Sequence, residues 1–139
     1  PQKVNRKPDF DAYAGGIDQK WINGYYMLWG LTGRDSEVRQ AISQGHPVIF
    51  GTVIDDKFDD FRGGDTLGIP KSAPIGRHMM CGVAYDGDGL WVVNSWSKFW
   101  GGADPTGKFP GGFFRMGWDW VNWAQATDWW AVRYAKEFA

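Results

Sequence analysis

The turn sequence at 86–89, Asp-Gly-Asp-Gly, constrains the fold more than any other feature of this chain, because it joins two apolar runs. Asp-Gly pairs between such runs are a strong local signal for a β-hairpin. His78 to Tyr85 is therefore predicted as one strand and Leu90 to Val93 as its antiparallel partner. The hairpin brings the outer ends of both strands together, with His78 at one end and Asn94 just beyond the other.

A regular hairpin does not by itself join His78 to Asn94. Counting outward from the turn places Asn94 opposite Cys81, which lies three residues beyond His78 in sequence. Three residues span roughly 10 Å along a strand, and an odd offset also moves a side chain to the other face. Contact between His78 and Asn94 therefore requires a β-bulge or an irregular strand end.

Composition favours a turn-rich β protein and excludes some function classes. The 139 residues include ten Trp, which pack as large rigid units, and twenty Gly, which permit tight turns. A net charge of −1 gives no field for nucleic acid or an anionic membrane, and no apolar run is long enough to span a bilayer. One Cys excludes an internal disulfide. The chain starts at Pro1 rather than Met, so a targeting signal can lie upstream, and both secretion and residence in a larger particle are compatible with it.

The other elements follow from periodicity and turn residues. Residues 1–20 are polar and Gly-containing and are predicted to form an arm, ahead of a single domain over 21–139. Asp35 is expected to cap a helix at about 36–44, which ends at Gly45. The remaining predictions are strands at Tyr25–Leu31, Val48–Ile54, Gly112–Met116 and Trp129–Tyr134, loops at Asp55–Ser72 and Ser97–Gly111, and helical turns at Trp118–Ala126.

His78, Asn94 and Trp96 form a pattern typical of a site that uses a cysteine nucleophile. Imidazole is the usual general base near neutral pH, and a cysteine nucleophile needs an adjacent imidazolium to hold it as thiolate. An Asn carbonyl is sufficient to orient such a ring, and a Trp over the His–Asn bond keeps water away from it. The nucleophile itself is missing, because the only cysteine is Cys81, where it cannot serve His78.

These motifs resemble those of papain-like cysteine peptidases of the C1 family. Residues 78–86, His-Met-Met-Cys-Gly-Val-Ala-Tyr-Asp, resemble the histidine strand of that family. Residues 94–101, Asn-Ser-Trp-Ser-Lys-Phe-Trp-Gly, resemble its asparagine motif, including the second Trp. Residues 38–48 upstream, and 112–116 and 126–130 downstream, resemble flanking parts of the same domain. The resemblance runs from about residue 21 to residue 134 and departs from the pattern at Ser97, which replaces a Gly, and in an inserted loop at 103–111.

The resemblance implies an α+β, papain-like fold. Residues 21–139 would form its C-terminal half, the antiparallel, β-barrel-like right subdomain with short helices. The N-terminal helical subdomain, which in this family carries the nucleophilic Cys and a Gln of the oxyanion hole, is absent from this chain. That subdomain, from the same precursor or a separate chain, is therefore the expected partner. The expected substrate is a peptide or protein, and neither nucleic acid nor a membrane is expected as a partner.

The same resemblance assigns roles to individual residues. His78 would be the catalytic base and Asn94 its orienting partner. Trp96 would shield their bond, with Trp100 in support. Gly76 and Arg77, just before the His, would border the substrate cleft. The reaction implied is peptide-bond hydrolysis through an acyl-enzyme, and the chain alone would be inactive because the thiolate must come from another segment or chain.

Two other functions remain open at this point. A non-catalytic papain-like scaffold, used for binding or assembly, is favoured by the missing nucleophile and disfavoured by retention of the His, Asn and Trp set. A glycan-binding surface built from Trp would need two or more coplanar exposed rings. A His78 ring with one nitrogen on Asn94 and the other facing an open groove favours the catalytic interpretation, whereas a buried, otherwise bonded His78 favours the scaffold.

The remaining candidate residues are predicted to be structural. His46 precedes a Pro in a loop, and Cys81 is expected to be a buried, inert thiol. The acidic residues around Lys57 are expected to form a solvated loop, because their spacing does not follow an EF-hand. Two His and one Cys at these spacings match no metal site, so neither a metal nor another cofactor is expected.

Overall fold

The computed structural model of the protein describes residues 11, 22–102 and 111–134. The predicted arm at 1–20 lies outside the described residues except for position 11, and the predicted inserted loop lies outside them except for Gly111. The elements are β1 (Ile22–Met27), α1 (Arg34–Ser43), β2 (Val48–Asp55), α2 (Asp56–Asp59), β3 (Pro74–Tyr85), β4 (Gly89–Val93), β5 (Phe113–Gly117), α3 (Trp118–Val121) and β6 (Ala126–Tyr134). No helix within the described ranges is long and apolar enough to cross a membrane.

The strands form one six-stranded antiparallel sheet in the order β1-β6-β2-β3-β4-β5. Side chains alternate between the two faces of each strand, and the face covered by the helices and the long loops holds the core. The core face includes Val48, Phe50, Met80, Leu90, Val92 and Trp129, all buried. The hairpin predicted from the Asp-Gly turn is present as β3 and β4, with Asp86 N donating to Gly89 O at 3.0 Å.

The predicted first helix is present, but its cap is not the predicted one. The helix begins at Arg34 with Gly33 at the N-cap, and Asp35 lies in its first turn. Gly33 takes φ 93°, a left-handed conformation that favours glycine. The Glu37 carboxylate instead accepts the backbone N–H groups of Gly30 and Leu31 at 2.8 and 2.9 Å, so it fixes the turn before the helix. Gly45, at φ 77°, follows the helix as predicted.

The segment Asp55–Ser72, predicted as a loop, contains the short helix α2. The Asp55 side chain caps this helix by accepting the N–H of Phe58 at 3.1 Å. Its other oxygen accepts the N–H groups of Lys71 and Ser72, each at 3.1 Å, so the far end of the segment is tied to the same carboxylate. An Asp directly after a strand is a common helix cap, a signal that the sequence interpretation overlooked. The cap holds Phe58 in the core.

β6 begins at Ala126 rather than at Trp129, and two other strands differ from the predictions by more. β1 spans Ile22–Met27 rather than Tyr25–Leu31, and β3 begins at Pro74 rather than at His78. β1 is aligned by pairing with β6, which lies between β1 and β2 in the sheet. The first half of β3 is aligned by pairing with β2. Both corrections therefore come from long-range pairing, which local residue patterns do not reveal.

Candidate active site

A β-bulge in β3 brings His78 and Asn94 together. Gly82 pairs with Val92 and Ala84 with Trp91, so Val83 is the extra residue of β3. Cys81 consequently pairs with Val93, so Asn94 lies opposite Met80 instead of opposite Cys81. The offset from His78 becomes even, and the two side chains share one face of the sheet. The irregularity that the sequence required is thus present.

The side chains of His78 and Asn94 are hydrogen bonded, with 2.8 Å between Nε2 and Oδ1. Because Oδ1 only accepts, Nε2 carries the proton and donates it. Nδ1 of His78 has no hydrogen-bond partner among the described residues, and the ring is half-buried. Asn94 is 5% exposed, and its backbone N–H donates to Gly112 O at 2.8 Å. Asn94 is therefore held through its Oδ1 and its backbone N–H, while its buried Nδ2 has no partner among the described residues, and the imidazole retains an unpaired nitrogen, Nδ1.

Two aromatic rings contact the imidazole of His78. The centroid of Trp96 lies 5.0 Å from that of His78 at an interplanar angle of 34°. Phe58, buried in the core, lies 6.2 Å from the His78 ring and 5.3 Å from the Trp96 ring, edge-on to both. Trp96 itself is 41% exposed. One side of the imidazole thus faces apolar surroundings, which strengthen its bond to Asn94 by excluding water.

Trp100 lies one layer further from His78. Its ring is buried and packs against Phe58 at 4.8 Å and Trp96 at 5.8 Å between centroids, without a ring contact to His78. Ser97, the departure from the family pattern, accepts the N–H of Phe99 on its hydroxyl at 3.0 Å and so stabilises the turn between the two Trp residues. Trp100 therefore positions Trp96 and Phe58, and contributes to the site only through them.

The site also depends on residues that were not singled out from the sequence. Thr52 lies opposite His78 on β2, fully buried, and accepts the indole N–H of Trp120 at 2.9 Å. Phe58 is placed under the His78 ring by α2 and its Asp55 cap. These residues form the floor of the site. No local pattern could assign them to it, because each reaches His78 through the folding of a distant segment.

Gly76 and Arg77 lie at an open edge of the sheet beside His78. Both are exposed, and a Cβ added at Gly76 would meet no atom within 4 Å. The Arg77 guanidinium donates from Nη2 to the Thr127 hydroxyl at 2.7 Å. The part of β3 before Cys81 pairs with β2 alone, since pairing with β4 begins at Cys81. The neighbouring backbone edge is therefore free of a strand partner within the described chain.

Cys81 lies apart from His78, because the alternation of β3 puts its side chain on the opposite face of the sheet. The thiol is half-buried, whereas the sequence predicts a buried one. Burial raises its pKa above the ordinary value of 9.0, so the thiol stays protonated at neutral pH. Both observations agree with the expectation that Cys81 does not serve as the nucleophile for His78.

The face that carries Cys81 is apolar and uncovered by any described residue. This outer face consists of Ile22, Tyr25, Ile49, Met79, Cys81, Val93 and Trp130. Tyr25, Ile49 and Met79 are 68%, 38% and 54% exposed. Trp130 pairs in register with Ile49, which pairs with Cys81, so the row runs across the centre of the sheet. Exposed apolar surface of this extent is typical of an interaction site.

Other site types receive no support from the described residues. Within these ranges, no three His, Cys, Asp or Glu side chains are grouped so that they could hold a metal ion. The acidic segment around Lys57 includes Asp55, which is buried and whose oxygens accept the backbone N–H groups of Phe58, Lys71 and Ser72. Trp29 and Trp96 are the exposed Trp residues of the described chain, and their rings do not contact each other. A paired Trp platform for a glycan is therefore not formed there.

Comparison with known proteins gives a distant relationship and a partial fold. No family model matches the chain. It is 26% identical over 144 aligned positions to an uncharacterized peptidase C1-like protein of Acanthamoeba polyphaga mimivirus, in an alignment that covers 96% of this chain and 44% of that protein. Its structure is similar to that of xylellain, a cysteine protease from Xylella fastidiosa, with a TM-score of 0.68 and 19% identity over 94% of this chain and 47% of the protease.

The chain is thus distantly related to papain-like C1 peptidases, and spans about half the length of the relatives that it matches. Its antiparallel six-stranded sheet with short helices corresponds to half of the papain-like fold. The predicted resemblance and the predicted α+β fold class are both confirmed. A complementary part, present in the relatives, has no counterpart in these 139 residues.

Proposed function

We propose that this chain supplies the general base and its orienting residue to a papain-like cysteine peptidase, and that the nucleophilic cysteine lies outside these 139 residues. One observation carries the proposal: the 2.8 Å bond from His78 Nε2 to Asn94 Oδ1, in a half-buried ring whose Nδ1 has no partner among the described residues. This arrangement fixes the tautomer and orientation of the imidazole and leaves one nitrogen available for proton transfer.

The proposed reaction begins with proton transfer from the incoming cysteine thiol to Nδ1 of His78. The resulting imidazolium holds the thiolate by charge, while Asn94 keeps the ring oriented through Nε2–H. The thiolate attacks the peptide carbonyl, and Nδ1–H then donates its proton to the leaving amine. Water, deprotonated by Nδ1, hydrolyses the thioester and regenerates the thiol. A neutral Asn is sufficient as orienting group because the thiolate balances the imidazolium.

We propose that the outer face is where the complementary helical half packs. Ile49 lies at its centre and is 38% exposed in this chain, whereas Met79, 54% exposed, lies at its margin beside the open edge of β3. Covering such side chains stabilises an interface by about 25 cal/mol per Å² of apolar area removed from water. Met79 follows His78 directly, but its side chain lies on the opposite face of β3, so the complementary half would approach the imidazole around the open edge of β3. In the relatives, more than half of the chain lies outside the aligned part.

The open edge of β3 suits a peptide substrate. An extended peptide adds to an unpaired strand edge through main-chain hydrogen bonds, and these are independent of its side chains. The backbone next to Gly76 and Arg77 is exposed, and it immediately precedes His78. A peptide bound there would pass its carbonyl groups beside the imidazole. The geometry thus supports a peptide or protein substrate over a compact small molecule.

The experiment is intact-mass spectrometry of the protein as isolated from its source, with all segments or chains associated with it, after exposure to an epoxide directed at cysteine peptidases. We expect one adduct, on a cysteine outside these 139 residues. The His78→Ala variant should lose the adduct, while Ser95→Ala, at an exposed neighbour of Asn94, should retain it. An unmodified protein, or an adduct on Cys81, would contradict the proposal.

A second candidate is a non-catalytic scaffold used for binding or assembly, and the observation that favours it is the absence of any cysteine besides Cys81 from this sequence. Such a scaffold could use the outer face for assembly in the same way. It gives no reason, however, for the oriented His78 ring with a free Nδ1. The epoxide experiment separates the two candidates, because a scaffold yields no adduct in any associated chain.

A further inference from the structure

Arg77 directly precedes His78 in β3 and presents an exposed positive charge on the opposite face of the strand. Its guanidinium forms no ion pair with any described residue, and its one described hydrogen bond is from Nη2 to the Thr127 hydroxyl at 2.7 Å. A guanidinium has five N–H donors in a rigid fork. Most of them therefore remain available to a ligand after Thr127 has fixed the side chain.

The surroundings of Arg77 are organised by three strands. Gly51 on β2 pairs in register with Thr127 on β6 and, on its other side, with Met79 on β3. A Cβ added at Gly51 would lie 3.0 Å from Met79 Sδ, so the Met79 side chain lies across the space that the glycine leaves. An apolar, half-exposed thioether thus borders the cation on the side of the outer face.

One acidic group lies close to this cation. The Asp128 carboxylate is 3.5 Å from the Thr127 hydroxyl, on a residue at φ 53°, and it is not within ion-pair distance of Arg77. Asp128 therefore weakens the positive potential near Arg77 without occupying its fork. Neutralising Asp128 would therefore make this point more positive, and neutralising Arg77 would make it more negative.

We infer that Arg77 selects peptides that carry a glutamate side chain next to the bond presented to His78, an inference that rests on the proposed peptidase function. Arginine matches a carboxylate with two parallel hydrogen bonds, whereas an amide cannot receive both. The methylene groups of a glutamate are long enough to lie on Met79 while its carboxylate reaches the guanidinium. Thr127 acts as a positioning residue, because it holds Nη2 and keeps the fork directed at the ligand.

The test is a titration of the chain, followed by NMR, with two blocked peptides that differ only in Glu or Gln at one position. At low ionic strength we expect the Glu peptide to bind about threefold more tightly, as is typical of an exposed charge pair. Arg77→Gln should abolish the preference, and Asp128→Asn should increase it. Asn also tolerates the left-handed backbone at position 128. The amide signals of residues 76–79 report whether the peptides bind at this edge.

Equal affinity for the two peptides, a preference that survives Arg77→Gln, or no shift at residues 76–79 with either peptide would each overturn the inference. The His78→Ala variant separates this result from the proposed catalysis. It should retain the Glu preference, although it loses epoxide labelling of the associated cysteine. A Glu preference without any epoxide adduct would leave Arg77 as the anchor of a peptide-binding edge and would reject only the peptidase function.

Discussion

His78 Nε2 and Asn94 Oδ1 are 2.8 Å apart because one residue of β3, Val83, has no partner on β4 and shifts the register between the two strands. In a regular hairpin, Asn94 would lie opposite Cys81 and on the other face from His78. The bulge at Val83 changes an odd offset to an even one, and a diagonal pair on the same face is within reach of long side chains. The geometry of the site thus originates at a position that has no chemical role in it.

Substitution of Asn94 tests the contribution of this bond. Asn94→Ala removes the acceptor of a partly buried N–H, and we expect a loss of about 1–2 kcal/mol in the free energy of unfolding. The imidazole proton on Nε2, visible by NMR in the wild-type protein, should exchange too fast to be seen. Ser95→Ala serves as the control and should change neither quantity. A persistent Nε2–H signal in Asn94→Ala would contradict the assigned tautomer.

Phe58 is expected to be the side chain whose loss most affects the His78 environment. It is 1% exposed, and its ring contacts those of His78, Trp96 and Trp100. Phe58→Ala should therefore destabilise the protein by about 3–5 kcal/mol and shift the His78 ring signals. Phe61→Ala is the matched control, because Phe61 packs against Trp100 without contacting the His78 ring. Equal effects of the two variants on His78 would show that α2 does not position the imidazole.

The protein should lose stability in acid when the carboxylate of Asp86, in the β3–β4 turn, becomes protonated. Burial alone would raise its pKa, but hydrogen bonds from the Asp88 and Gly89 N–H groups, the Trp91 indole and Arg115 outweigh it and hold the pKa below 3.8. A depressed pKa means that the stabilisation is present above the ordinary carboxyl range and is lost as the pH falls through the folded value.

The Asp86→Ala variant measures this effect. At neutral pH we expect it to be less stable than the wild type by about 1 kcal/mol, a modest figure because the side chain is partly solvated. In denaturant titrations below the ordinary carboxyl pKa, the two proteins should converge. The exposed Asp88 pairs with Arg115 alone among the described side chains, and Asp88→Asn should change stability much less. A difference that stays constant with pH would rule out the carboxylate as its source.

Cys81 is a built-in reporter of the outer face. Its raised pKa makes the thiolate scarce, so alkylation in the folded chain should be slower than in denaturant and should accelerate with rising pH. When the complementary half is present, we expect at least a further tenfold slowing, since the thiol would be covered. Mass spectrometry of the alkylated protein measures the rate. Equal rates with and without the associated segment would show that the outer face is not the docking surface.

Introducing a charge at the centre of the outer face should prevent docking without unfolding the chain. Ile49 is 38% exposed, so Ile49→Lys leaves a route for the ammonium to solvent. Once covered, however, the same charge would be buried without a partner, and we expect the affinity for the complementary half to fall at least tenfold. Leu31→Lys, in the loop between β1 and α1 where Leu31 is 86% exposed, is the control for pull-down and thermal melts.

Several features of this protein were determined by the sequence alone. The Asp-Gly turn defined the β3–β4 hairpin, because turn residues act on the backbone locally. Gly45 marked the end of α1, since only glycine accepts the left-handed conformation there without strain. The motifs at His78 and Asn94 identified the pair that the structure joins, and they also showed that their contact requires a bulge.

Only the tertiary structure decided how these parts meet. The insertion of β6 between β1 and β2, the position of Phe58 under the imidazole, and the bond from Arg77 to Thr127 join segments that are far apart in sequence. Such contacts form because strands pair and apolar faces pack across the whole domain, and local residue propensities do not predict them. The bulge at Val83 depends on both: the sequence predicts that a bulge is needed for His78 to reach Asn94, and the pairing of β3 with β4 determines where it lies.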